Sequence, residues 1–142
     1  MIGQDLSQFH QPLNDLFVSM ASEQQRTQWK LSDDQIAFFH ENGYVVGPKI
    51  LSDLQIGQLR RELATLTEPG HPGSEFWYEY NSNESPDPSR VLFHALGAWR
   101  IAPAFHDILW NAKFTTPASQ LLGGAVRFWH DQLFCKPAMH GG

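Results

Sequence analysis

The sequence predicts an α+β fold, with helices in the N-terminal half and strands gathered towards the end. Two observations carry this. Residues 31–43 (LSDDQIAFFHENG) and 51–66 (LSDLQIGQLRRELATL) each place a Ser at the start and a Gln three residues on, the grammar of a capping box, ahead of an apolar repeat. Near the end, Val126, Phe128 and His130 alternate with Arg127, Trp129 and Asp131, the two-residue period of a strand.

Residues 1–30 are polar and Gln-rich around a short apolar cluster, Leu16-Phe17-Val18, and read as a surface extension ahead of a main domain at 31–142. In the first helix Ser32 is the N-cap, Leu31 staples the entry, Ile36 and Phe39 share a face, and Gly43 supplies a left-handed stop. YVVGPKI at 44–50 reads as a short strand. Ser52 then caps a second helix whose Ile56, Leu59, Leu63 and Leu66 form a buried stripe, until Pro69-Gly70 and Pro72-Gly73 break it.

FWYEY at 76–80 is a short aromatic strand, and NSNESPDPS at 81–89 is a loop with nothing to bury. VLFHALGAWR at 91–100 reads as an irregular approach to a helix around 103–112, with Leu109 and Trp110 on its buried side. PASQLLGG at 117–124 is a short helix ended by Gly123-Gly124. The final strand runs on through Gln132 and Phe134 on one face, with Leu133 and Cys135 on the other, until Pro137 stops it.

Composition bounds the function. With 142 residues, 42 % apolar and 18 % charged, the chain is long enough for one domain with a real core and too apolar for a disordered tail. The formal charge of −5 includes no Lys/Arg-rich stretch, so nucleic acid is not an expected partner. A lone cysteine, Cys135, excludes an internal disulfide and a thiolate metal cluster. The N-terminal MIGQDLSQFHQPLND lacks a basic start and an apolar run, and no apolar segment is long enough to span a bilayer. A soluble, cytoplasmic protein without a membrane partner is expected. Gly123-Gly124 and Gly141-Gly142 lack the strand-to-helix context of a phosphate loop and read as turns. Asp33, Asp34 and Asp53 sit where the helix dipole explains them, and no pair of carboxylates has catalytic spacing.

The terminal run RFWHDQLFCKPAMHGG at 127–142, with its LLGG prelude at 121–124, resembles the segment leading into the active site of phytanoyl-CoA dioxygenase-like proteins. The earlier helix followed by Gly-Tyr-Val-Val is similar to that family's N-terminal half, and the likeness covers about Leu31 to Gly142. The resemblance implies the N-terminal helices and first strands of an incomplete double-stranded β-helix, a jelly roll of cupin type. It further implies iron(II) and 2-oxoglutarate as cofactors, and hydroxylation of a small organic substrate by dioxygen.

The family's iron ligands are a His-x-Asp pair and a distal His. In relatives the pair follows the Lys-Pro and glycine segment, and here the sequence reaches Gly142 at that point. None of the seven His has an Asp two positions on, and His130-Asp131 is adjacent, which in a strand sends the two side chains to opposite faces. No catalytic residue and no metal ligand is therefore assigned, and the chain alone is expected neither to hold iron stably nor to turn over.

Cosubstrate contacts remain. By likeness to the family, Gln132 matches a 2-oxoglutarate-contacting position, where an amide donor on a rigid element would meet a carboxylate; the plainer alternative is a Gln satisfying backbone groups. His94 lies where relatives supply another polar contact, and Lys136 offers a point charge for an oxygen-rich ligand, although holding its own loop would explain it equally well. His130 is assigned to the pocket or to its supporting groups, against the simpler reading of a satisfied core His.

The functional expectation is a portion of an iron(II)/2-oxoglutarate oxygenase, inactive by itself. The alternative is a non-enzymatic remnant or small binding domain, motivated by the missing ligand pair. Leu121, Leu122, Val126, Phe128 and Phe134 are apolar enough to want later strands as cover, so self-association through unpaired strands is expected.

Overall fold

The computed structural model describes residues 3–19, 21–87 and 89–138; His140 and the Gly141-Gly142 turn expected above lie outside them. The fold is α+β, with helices preceding a three-stranded antiparallel sheet. Helices α1 (Glu23–Thr27), α2 (Asp33–Asn42) and α3 (Asp53–Leu66) come first. Strands β1 (Glu79–Asn81) and β2 (Phe93–Leu96) follow, then α4 (Pro103–Asp107), α5 (Ala112–Leu121) and β3 (Leu133–Cys135).

Both predicted capping boxes are formed: Ser32 accepts from the Gln35 amide, Ser52 from that of Gln55, and each Gln returns a bond to its cap amide. Ser22 and Gln25 repeat the motif on α1. Gly43 closes α2 at φ 80°, donating to the Phe39 carbonyl. Leu31 is buried, and the Gln120 side chain grips its backbone from α5, accepting from the Leu31 amide at 2.7 Å and donating to the Leu31 carbonyl at 3.1 Å.

Along α3, Leu66 is the fully buried end of the apolar stripe and packs with Ala98 and Ala102, against which Leu133, Trp77 and Ile101 lean. Helix α4 starts after Ala102, which has no capping side chain. Glu62 of α3 stands in, accepting from the Ala104 amide at 2.8 Å.

Several elements depart from the sequence reading. YVVGPKI joins no sheet: Tyr44 and Val46 are 63 % and 81 % exposed, and the Val46 carbonyl accepts from the Gln35 side chain of α2 at 2.9 Å instead of from a neighbouring strand. The FWYEY strand is displaced to Glu79–Asn81. Phe93–Leu96, read as irregular, is the central strand, with three consecutive buried residues; cover on both faces erases the alternation that marks a half-exposed strand.

Helix α5 begins five residues before Pro117 rather than at it, because Asn111 caps the Lys113 amide, and Pro117 is carried inside the helix. The final strand is confined to 133–135. Residues 126–130 make no ladder; Phe128 instead packs edge-on against Trp99 at 5.4 Å, and the Asp131 carboxylate accepts from the Gly97 and Trp99 amides.

The N-terminal arm, expected to lie on the surface, reaches the interior. Leu6 and Phe17 are buried, Gln55 donates to the Leu16 carbonyl, and the Ala112 amide donates to Val18. Its anchors are carboxylates. Asp107, itself buried, accepts from the Leu13 and Asn14 amides at 2.8 Å each, and Asp5 pairs with Arg100 at 2.5 Å. Among the described residues no helix is long and apolar enough to cross a membrane.

Candidate functional site

The register of the sheet builds the site. Asn81 lies opposite His94, and His94 opposite Phe134, so these three share the face turned away from the Leu66–Ala98 core. Gln132 enters the same face from the residue before β3. On the other face Tyr80, Ala95 and Leu133 align, with Tyr80 edge-on to Phe93 at 5.5 Å.

His94 is the hub. It is 7 % exposed, because three neighbours cover it on the face turned away from the core. Nδ1 lies 2.6 Å from Oε1 of Glu84, Nε2 lies 2.8 Å from Nε2 of Gln132, and the Phe134 ring stacks on the imidazole at 4.3 Å with an interplanar angle of 4°. A carboxylate can only accept and an amide nitrogen can only donate, so the imidazole donates through Nδ1 and accepts through Nε2, the neutral tautomer. Glu84 is held in turn: its amide donates to the Leu92 carbonyl at 2.8 Å, and the Asn81 amide reaches both Glu79 and Glu84 carboxylates.

Two of the four residues singled out in the sequence, His94 and Gln132, are thus in direct contact across the β2–β3 pair. Lys136 follows β3 immediately and is exposed. His130 is also exposed, with Nδ1 donating to the Asp131 carbonyl at 3.2 Å. It does not join His94, because residues 126–130 do not continue the strand whose period would have put it on Gln132's face.

Asp131 was read only as pointing away from that face. Its two oxygens accept from the Gly97 and Trp99 amides at 2.8 and 2.9 Å, tying the approach to β3 onto the turn at Ala98–Arg100. Glu84 was missed altogether. It sits in a loop of Ser, Asn and Pro, where an acidic residue normally means solvent, and only the fold-back of that loop onto β2 brings it to His94.

Glu79, Glu84 and His94 bring three potential ligand atoms within 4.8 Å of one another. They do not fit the iron centre implied by the resemblance, which takes two His and one carboxylate in a facial set. Only one His is present, and both of its ring nitrogens are engaged. The Gln132 amide keeps a second N–H beyond its contact with His94, while the Glu79 and Glu84 carboxylates make the His94 side of the cluster acidic. Comparison with family models and with curated proteins finds no match.

Proposed function

We propose that this chain forms the cosubstrate-side wall of an iron(II)/2-oxoglutarate oxygenase of the phytanoyl-CoA dioxygenase type, β1–β3 being strands of a double-stranded β-helix. The observation that carries the proposal is the contact between Gln132 and His94, two residues 38 positions apart that meet at 2.8 Å on the sheet face turned away from the core. In such an enzyme iron and 2-oxoglutarate together supply the oxidation of a small organic substrate.

This chain's residues hold the carboxylate end. Glu84 sets the His94 tautomer, so that Nε2 accepts one amide hydrogen of Gln132 and aims the other outward. Phe134 covers the imidazole and keeps water from competing for that bond. Lys136 adds charge at the rim. No residue of this chain is assigned as an iron ligand; the roles assigned to its residues are binding and orienting the cosubstrate.

A second reading, a binding module without chemistry, is favoured by the engagement of both His94 nitrogens, which can equally be a structural clasp. Titration of the ¹⁵N-labelled chain with 2-oxoglutarate separates the two. The oxygenase reading expects saturable shifts of the Gln132 side-chain amide and the His94 ring, smaller shifts with acetate, and loss of the His94 response in Gln132→Leu. No response at these groups, or an unchanged response in the folded Gln132→Leu variant, would remove the cosubstrate role and leave the binding module.

A further inference from the structure

A second concavity lies away from the His94 face, between the N-terminal arm, α5 and the unpaired segment 126–129. It encloses about 830 Å³, within the range of small-molecule sites. None of His94, Gln132 and Phe134 lines it. Six aromatic rings line it among aliphatic and hydroxyl side chains: Phe9, Trp99, Trp110, Phe114, Phe128 and Trp129.

Several of these rings are not packed away. Phe114 is 52 % and Trp129 87 % exposed, so an apolar patch is left facing solvent where a soluble domain ordinarily avoids one. The rings already present meet as faces and edges, Phe128 edge-on to Trp99 and His106 nearly parallel to it with an interplanar angle of 21°. Such walls accept another flat ring by stacking or edge contact better than a flexible chain, which would give up more rotamer freedom.

The charge is one-sided. Arg26 and Arg127 both line the groove, and no Asp or Glu does among the described residues, although the whole chain carries a net charge of −5. Trp99 adds an indole N–H that is buried with no acceptor among the described residues. Cations and an unmet donor around an aromatic slot select a flat apolar body bearing a negative, hydrogen-bond-accepting group.

We propose that this groove binds an aromatic monocarboxylate, its ring between Phe128, Trp129 and the α5 side and its carboxylate at Arg127. The site is independent of the cosubstrate face.

The test follows the indole N–H resonances of Trp99, Trp110 and Trp129 during titration with 2-naphthoate, the neutral isostere 2-naphthamide, and decanoate. Saturable shifts with 2-naphthoate are expected, with the amide and decanoate each about tenfold weaker. Arg127→Gln, a change at an exposed side chain, should weaken 2-naphthoate about tenfold and leave 2-naphthamide unchanged. Equal affinity for acid and amide, insensitivity to Arg127→Gln, or decanoate binding as well as naphthoate would each overturn the proposal. So would movement of the same resonances with protein concentration before any ligand is added, which would make a second copy of the chain the occupant.

Discussion

The Asp5–Arg100 pair offers the sharpest test of how the N-terminal arm is held. Hydrogen bonding from the Arg100 guanidinium, helped by the Ser7 hydroxyl and amide, brings the Asp5 carboxyl from 3.8 down to about 2 against the opposing effect of burial. Arg100 does not depend on Asp5 alone, since it also donates to the Phe76 carbonyl at 2.9 Å and lies 4.6 Å from the Tyr78 ring centre. A carboxylate whose folded value is depressed stabilises the fold above its unfolded value, and the gain disappears as pH falls through the folded value.

The contribution should therefore be complete from about pH 5 upward and vanish between about pH 4 and pH 2. Its size at neutral pH is about 2.5 kcal/mol at most, and about 1–2 kcal/mol once solvent screening of these partly exposed side chains is counted. Asp5→Asn isolates the charge, because Asn still offers an oxygen to the Ser7 amide. Urea unfolding at pH 7 should show the variant's midpoint lowered by about 1 M or somewhat less for a typical slope. Repeating the measurement down to pH 2 should show the two midpoints converge, with the other carboxylates cancelling between wild type and variant. A difference that stays constant from pH 7 to pH 2, or no difference at pH 7, would refute the electrostatic anchoring of the arm.

Removing Asp131 as Ala leaves the Gly97 and Trp99 amides without their acceptor, at a cost of about 1–3 kcal/mol; hydrogen exchange at those two amides should accelerate ahead of exchange in α3. Gly97 has φ 109°, and a Cβ there would lie 3.2 Å from the Tyr78 ring and from its backbone nitrogen, so Gly97→Ala should lower stability by about 1–3 kcal/mol in thermal unfolding. Strand β3 is a sheet edge carrying Phe134 at 58 % exposure, so concentration-dependent association should be visible by sedimentation velocity and be reduced by Phe134→Lys. A monomer at all concentrations in the unsubstituted chain would rule out that edge as a self-association site.

What the residues alone determined is local. Ser32 and Ser52 with Gln35 and Gln55, the stop at Gly43 and the stripe ending at Leu66 could be read directly, because capping and helical periodicity depend on neighbours within about one turn of chain. His94 and Gln132 were singled out individually by family likeness, yet nothing in the chain between them says that they touch.

Tertiary structure decided the rest. It decided that Phe93–Leu96 is the central strand, because cover on both faces removes the alternation a sequence displays. It decided that His130 leaves Gln132's face, because two backbone amides at Gly97 and Trp99 claim Asp131 and end the strand period. It also decided that the arm is pinned to the domain, because the acceptors for the Leu13 and Asn14 amides lie on Asp107, more than ninety positions away. A buried carboxylate such as Asp107 must find donors, and which distant amides supply them is settled only when the chain is folded.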